Sequence, residues 1–117
     1  MGAHLGGLMD SCVFCRIVAG ELPASVVYED DAIMAFKDRH PEAPVHVLVI
    51  PKKHIASLAH LEAEDAGLMG HLMLKLPELA TVQGMEQGFK TRINTGLVGG
   101  QKVAHLHVHL TGRPNLK

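Results

Sequence analysis

Apolar and polar positions divide the chain into short strand-like runs and one long stretch with helical spacing. The apolar runs at residues 25–28, 32–36 and 45–50 are short and bounded by turn-forming residues, which predicts three strands. Residues 61–88 differ, because apolar side chains recur there at three- and four-residue spacing and predict a helix. Pro77 lies inside this stretch and is expected to kink or divide the helix, since it lacks a backbone N–H.

Two further strand candidates, at residues 89–95 and 103–110, flank a glycine-rich loop at 96–100. The expected order is therefore three strands, one helix and two strands, joined mostly by short turns. Such an order favours an α+β fold, with an antiparallel five-stranded sheet and one main helix packed on one face. Residues 11–117 are expected to form this single domain, preceded by a flexible N-terminal segment at 1–10.

Charge and hydropathy narrow the class of protein. The net charge is −1 with histidine neutral, so no basic surface for nucleic acid is expected and an anionic substrate would depend on local donors. No apolar run approaches the roughly 20 residues of a membrane span, and the N-terminus lacks the basic start and apolar stretch of a signal peptide. These features predict a cytoplasmic globular protein with no membrane partner.

Histidine is over-represented, with nine copies in 117 residues, and three of them alternate with apolar residues in the last predicted strand. Because side chains on a strand alternate between faces, His105, His107 and His109 are expected to share one face. The residues expected to bury against the helix from the other face are Ala104, Leu106, Val108 and Leu110. Neighbouring histidines would lie about 6.6 Å apart along the strand, which suits one attacking histidine between neighbours with separate tasks.

Two structural interpretations compete with a catalytic one: a solvated polar face on an edge strand, and a histidine-rich metal-binding tract. Three histidines in strict alternation are unusual on a water-facing strand, which more often carries Thr, Lys, Glu or Ser. A neutral imidazole is a good nucleophile toward phosphorus near physiological pH, and a hydrogen bond to its second ring nitrogen sets the tautomer. The segment is therefore a candidate for covalent catalysis at phosphorus.

The only cysteines are Cys12 and Cys15. A two-residue spacer is too short for an ordinary structural disulfide of a secreted domain, and it suits a metal site or a redox pair. The residues alone leave both alternatives open, together with a pair of free thiols.

Several segments together resemble the histidine triad (HIT) family, most of all its compact nucleoside phosphoramidase branch. The resemblance extends from about Ser11 to Arg113 and is specific because separate motifs match in order. The main ones are Cys12-Val13-Phe14-Cys15, Ala35-Phe36-Lys37-Asp38, Pro51-Lys52-Lys53-His54, Asn94-Thr95-Gly96, Gly99-Gly100-Gln101 and His105-Leu106-His107-Val108-His109.

The resemblance implies an activity and an assembly. It implies hydrolysis of purine nucleoside 5′-phosphoramidates or related nucleotidyl conjugates, with His107 forming a nucleotidyl-histidine that water then cleaves. It also implies a homodimer with a helix and a strand of each protomer at the interface, and a sheet that continues across it. Two other functions stay open: a dinucleoside polyphosphate hydrolase, and a nucleotide- or zinc-binding interaction protein with weak turnover.

The resemblance also assigns positions in the site. It groups His46, His105 and His109 with His107 as catalytic residues, with His46 orienting the triad. The residues that it places around the nucleotide are Phe36 and Arg39 at the base, Asp38 at the ribose, and Asn94, Gly100, Gln101, Lys102 and His109 at the phosphate.

Each of these positions also has an ordinary structural interpretation. Asn94 could cap a turn, Gln101 could be an exposed loop residue, His46 could be a satisfied core histidine and Asp38 a turn residue. Lys102 departs from the serine that is common in the phosphoramidase branch. A lysine there binds phosphate as a flexible charge or points outward and leaves one donor missing.

The resemblance further implies a structural zinc. Its ligands would be Cys12, Cys15, His54 and His105, which is a sound tetrahedral set for zinc. Such a metal would tie the N-terminal segment to the last strand in a domain with a small core. No redox cofactor is expected, and a histidine nucleophile does not require magnesium.

Overall fold

The computed structural model describes residues 11–115 and contains an open antiparallel sheet of five strands with one main helix. The strand order is β1-β2-β3-β5-β4, and each neighbouring pair is antiparallel. The strands are β1 (Val26–Glu29), β2 (Ile33–Lys37), β3 (Val45–Pro51), β4 (Lys90–Arg92) and β5 (Val108–Gly112), and the α-helices are α1 (Val13–Val18) and α2 (Ala66–Val82). The α+β class and the five-stranded sheet are thus confirmed. The expected segment at 1–10 lies outside the described residues.

The central strand β3 is buried along its whole length because both faces of the sheet are covered. On one face, α2 packs against a cluster that includes Val47, Val49 and Leu110. On the other face, Phe14 of α1 packs with a second cluster that includes Leu48. This alternation places odd-numbered residues of β3 toward α2 and even-numbered residues toward α1.

The main helix is shorter than expected, and α1 was not predicted. The helix expected over 61–88 begins at Ala66 and ends at Val82, preceded by two single 3₁₀ turns, Leu58–His60 and Ala63–Asp65. Pro77 lies within α2 without dividing it. The six residues of α1 are too few to give a helical period in the sequence.

The last strand differs most from the prediction. Residues 103–107 are not in the sheet, and β5 starts only at Val108. The Leu106 N–H instead donates to the Ile55 carbonyl oxygen at 2.7 Å, outside the pairing of β5 with β3 and β4. Ala104 is consequently exposed rather than packed on the helix. The spacing expected for one continuous strand therefore does not apply to His105 and His107.

A polar network joins α2 to the turn between β1 and β2. One carboxylate oxygen of Asp30 accepts the backbone N–H groups of Ala32 and Ile33 at 2.8 and 2.9 Å. The other lies 2.6 Å from the Tyr28 hydroxyl and 2.7 Å from His71 Nε2. Desolvation opposes ionisation, but these hydrogen bonds outweigh it and hold the pKa of Asp30 well below its usual range.

We expect Asp30→Asn to lower the free energy of unfolding by about 2 kcal/mol at pH 7, since an amide cannot accept all four hydrogen bonds. The depressed pKa makes this stabilisation complete above about pH 4, the unfolded pKa of Asp. It is lost as the pH falls from there toward the folded pKa. Urea unfolding at several pH values should show the difference between variant and wild type narrowing below pH 4. The exposed neighbour supplies the control Asp31→Asn; equal stability of Asp30→Asn and wild type at pH 7 would contradict the role of the network.

No helix within residues 11–115 has both the length and the apolar character needed to cross a membrane.

Candidate active site

The triad segment, residues 105–109, places its three histidines in different surroundings. His105 is fully buried and His107 is 6% exposed, and both precede β5. His109 lies within β5 and is half-buried. The rings of His107 and His109 are 5.0 Å apart between centroids, with 60° between their planes.

His107 carries a defined tautomer. Its Nδ1 lies 2.6 Å from the carbonyl oxygen of His105, and because a carbonyl oxygen can only accept, Nδ1 bears the proton. The lone pair is therefore on Nε2. Burial is the largest cause that lowers the pKa of His107, which keeps the ring neutral. The ring of Phe14 packs edge-on against it, at 5.1 Å between centroids and 87° between planes, and the result is an oriented, neutral imidazole.

The hydrogen bonds that link Glu42, His46 and His109 determine the tautomers of the two histidines. The Glu42 backbone N–H donates to His46 Nδ1 at 3.1 Å, so the proton of His46 is on Nε2. This nitrogen lies 2.9 Å from His109 Nδ1 and 3.4 Å from an Asp38 carboxylate oxygen. His109 thus accepts at Nδ1 and carries its own proton on Nε2, as a donor in the cavity that it lines.

The charge state of His109 agrees with this assignment. Burial first, and then the charge of Arg92, lower its pKa to about 4. Ligand atoms of Asp38, His46 and His109 also lie within 4.8 Å of one another, close enough for a metal ion. A proton on His46 Nε2 between two acceptors accounts for that spacing by itself.

Cys12, Cys15, His54 and His105 form a compact cluster between α1 and the triad segment. Their ligand atoms all lie within 4.8 Å of one another. His105 Nδ1 is 3.4 Å from Cys12 Sγ, and His54 Nδ1 is 3.1 Å from Cys15 Sγ. His105 Nε2 lies 2.8 Å from the carbonyl oxygen of Pro51, which fixes its proton there and leaves the Nδ1 lone pair facing sulfur.

The chemistry of these four groups fits a divalent cation. Two sulfur and two imidazole ligands suit tetrahedral zinc. Burial, followed by the neighbouring Cys12, raises the pKa of Cys15 to about 12. The thiol therefore stays protonated unless a cation stabilises the thiolate.

A cavity of about 420 Å³ opens beside His107 and His109. One wall is apolar and is formed largely by α1 and the segment that follows it: Val13, Phe14, Ile17, Leu22, Pro23, Ala24, Phe36, Leu48 and Val103. The remaining lining residues are polar or glycine: Lys37, Asp38, Arg39, His40, Glu42, Arg92, Asn94, Gly100, Lys102, His107 and His109. A cavity lined by apolar side chains together with a set of polar groups is the usual form of a small-molecule site.

Of the residues expected around the nucleotide, all but Gln101 line this cavity; His46, expected to orient the triad, does not line it. The Gln101 amide nitrogen donates to the carbonyl oxygens of Ala56 and Val103 at 2.7 and 2.9 Å, and its oxygen accepts the Gly96 N–H at 2.8 Å. Gln101 therefore braces the glycine loop. His46 contacts His109, with its Nε2 2.9 Å from His109 Nδ1.

Sequence reasoning missed several lining residues. Arg92 and Glu42 face each other at the cavity, with Arg92 Nη1 3.0 Å from a Glu42 carboxylate oxygen. The side chains of Val13, Phe14 and Ile17 supply one wall. A charged residue on a short strand looks like an ordinary solvated position in a sequence, so no signal singled out Arg92.

Comparisons with known proteins agree with the fold and the motifs. A family profile described as "Scavenger mRNA decapping enzyme C-term binding" matches residues 11–116. "Protein HitA" of Neisseria gonorrhoeae is 55% identical over 106 residues, which cover 91% of this chain and 99% of that protein. The crystal structure of a HIT family hydrolase from Legionella pneumophila is 41% identical, with a TM-score of 0.86, and the match covers 92% of this chain and 96% of that one. A zinc-bound histidine triad family protein of Mycobacterium smegmatis is 36% identical with a TM-score of 0.76, over 91% and 77% of the two chains.

Proposed function

The chain belongs to the histidine triad family, and we propose that it is a nucleotide-binding hydrolase of purine nucleoside 5′-phosphoramidates or related nucleotidyl conjugates. The observation that carries the proposal is His107, whose Nδ1–H donates to the His105 carbonyl and leaves Nε2 free to attack. The residue lines a cavity with an apolar wall for a base and polar groups for a phosphate. The Legionella relative, a HIT family hydrolase, supports hydrolysis.

The proposed reaction has two displacements at phosphorus. In the first, His107 Nε2 forms a bond to phosphorus while the bond from phosphorus to the leaving nitrogen breaks, and this nitrogen takes up a proton from solvent and departs as the amine. The His105 carbonyl, which holds Nδ1–H, stabilises the positive charge that develops on the ring. In the second, water attacks phosphorus and gives up a proton to solvent while the bond to Nε2 breaks, which releases nucleoside monophosphate and restores the neutral imidazole.

The neighbouring side chains are proposed to bind the rest of the substrate. His109 donates from Nε2 to a phosphoryl oxygen, because His46 occupies its Nδ1. Phe36 packs against the base beside Arg39, and the Asp38 carboxylate accepts from the ribose hydroxyls. Asn94, Gly100 and Lys102 line the same cavity and are proposed to bind the phosphate, Lys102 as a flexible positive charge.

We propose that a structural zinc binds Cys12, Cys15, His54 and His105. Zinc would supply a cross-link between α1 and the triad segment and take no part in the displacements. The zinc-bound Mycobacterium relative supports the proposal. Gln101 is proposed to act through the glycine loop that it braces.

A homodimer with a sheet that continues across the interface stays a prediction, as does a cytoplasmic location. Strand β4 forms one edge of the sheet and is therefore open to pairing of this kind.

The substrate class is tested by steady-state kinetics on purified full-length protein. We expect a kcat/KM for an adenosine 5′-phosphoramidate that is at least about tenfold higher than that for a diadenosine polyphosphate. The reverse order would make the protein a dinucleoside polyphosphate hydrolase. Binding of nucleotide without release of monophosphate from either compound would instead indicate an interaction protein.

A further inference from the structure

Arg92 stands beside the reaction site without a role in the mechanism above. It is the last residue of β4 and is paired directly with His109 of β5 in the sheet register. Its side chain is 34% exposed and lines the cavity. The cavity is lined by four cationic side chains, Lys37, Arg39, Arg92 and Lys102, and by two acidic ones, Asp38 and Glu42. A chain with a net charge of −1 thus presents a locally positive cavity.

Arg92 differs from the other three cations because two hydrogen bonds hold its guanidinium. Nε donates to the Asn94 side-chain oxygen at 2.9 Å, and Nη1 donates to a Glu42 carboxylate oxygen at 3.0 Å. Lys37, Arg39 and Lys102 are exposed. A guanidinium in one orientation presents a planar fork of donors that matches a carboxylate.

Glu42 shows what kind of group the Arg92 guanidinium binds. The hydrogen bond from Arg92 is the largest cause that lowers the pKa of the Glu42 carboxyl, so the group stays ionised. The Glu42 side chain is 58% exposed, and an ion pair at such a position is held weakly. A carboxylate of the substrate could therefore replace it, while Asn94 continues to orient the guanidinium. The backbone N–H of Glu42, which donates to His46, would be unaffected.

We propose that Arg92 is a specificity-determining residue that binds a carboxylate on the leaving group of the substrate, in place of Glu42. The preferred substrates are then nucleoside 5′-phosphoramidates whose leaving amine carries a free carboxylate, as an amino acid does. This inference rests on the proposed hydrolase function and names the class of leaving group for the same site. Glu42 acts as an internal competitor that neutralises Arg92 when no such substrate is bound.

The test uses two compounds of nearly the same size that differ in whether the leaving group carries a carboxylate or a neutral amide, adenosine 5′-phosphoramidates of alanine and of alaninamide. The measured quantity is the ratio of kcat/KM for the carboxylate to that for the amide. We expect Arg92→Gln to lower this ratio about tenfold, the effect of a partly exposed charge-assisted hydrogen bond, and Arg92→Lys to restore part of it. Glu42→Gln is expected to raise the ratio, because it removes the competing carboxylate.

Lys90→Gln is the matched control, since Lys90 lies on the same strand, is exposed and does not line the cavity. The same ratio in Arg92→Gln and wild type would overturn the proposal. An equal fall of this ratio in Lys90→Gln would also overturn the proposal. The preference would then come from the general electrostatic field of the cations and not from a contact with Arg92. Calorimetric binding of the two compounds gives a ratio of affinities that does not depend on turnover. Binding with an Arg92-dependent ratio but without hydrolysis would contradict the proposed function and leave the role of Arg92 intact.

Discussion

Replacement of His107 by asparagine is expected to reduce turnover at least about 10³-fold, since the variant lacks the atom that attacks phosphorus. Asparagine retains a donor of similar position to Nδ1–H, so the hydrogen bond to the His105 carbonyl can persist. Nucleotide affinity and the free energy of unfolding should therefore change little. The measurements are single-turnover kinetics, calorimetric binding of nucleoside monophosphate and urea unfolding.

A matched histidine variant controls for the loss of an imidazole elsewhere. His60 is exposed on a 3₁₀ turn, where Nδ1 lies 2.7 Å from the Ser57 hydroxyl, and it does not line the cavity. His60→Asn should retain the wild-type rate. A near-normal rate in His107→Asn would remove His107 as the nucleophile. A parallel loss of stability would show that its main role is in packing.

Removal of the proposed zinc is the second change with a large expected effect. Cys15→Ser should abolish binding of about one equivalent of zinc and lower the free energy of unfolding by several kcal/mol, because metal binding contributes directly to folding. Elemental analysis of protein purified without added metal gives the stoichiometry. Thermal unfolding with and without a chelator gives the stability.

The loss of zinc is also expected to weaken nucleotide binding through α1. This helix lies between the cysteines and the cavity: Cys12 caps it, Cys15 lies within it, and Val13, Phe14 and Ile17 line the apolar wall. His60→Asn serves again as the control, since His60 lies outside the cluster. Wild-type protein with no zinc, and with a melting temperature that a chelator leaves unchanged, would rule against the site.

The sequence predicted the elements whose signals are local and repeated. The apolar runs of β2 and β3 lie within one residue of their observed positions, and the helical spacing at 61–88 contains α2, which is shorter at both ends. The start of β5 could not be read in this way. The alternation of apolar and histidine residues continues through residues 105–109, whereas a bond from Leu106 N–H to the distant Ile55 carbonyl ends the regular strand. A pattern of side chains does not encode a partner about 50 residues away.

The residues of the candidate site also fall into two groups, those that local motifs predict and those that only the fold brings together. Asp38, Asn94 and His109 belong to contiguous motifs, so the sequence alone predicts them as site residues, and all three line the cavity. Arg92 and Glu42 are 50 residues apart in the chain and become a pair only through the sheet and the loop after β2. In the sequence Phe14 stands out only as part of the cysteine motif, because its contact with the His107 ring depends on how α1 packs. Sequence motifs therefore identify the candidate reactive residues, whereas the contacts of Arg92, Glu42 and Phe14 become visible only in the tertiary structure.

Trapping the covalent nucleotidyl-histidine intermediate is the most direct test of whether His107 is the nucleophile. Wild-type protein is exposed briefly to a slowly released adenosine phosphoramidate, quenched in alkali to preserve the phosphorus–nitrogen bond, and digested for mass analysis of peptides. We expect an added mass of one adenylyl group on His107, at a level that rises and decays with turnover, and no such adduct in His107→Asn. An adduct on a different residue, or turnover in which no adduct accumulates even when the second step is slowed, would contradict the assignment of His107 as the nucleophile.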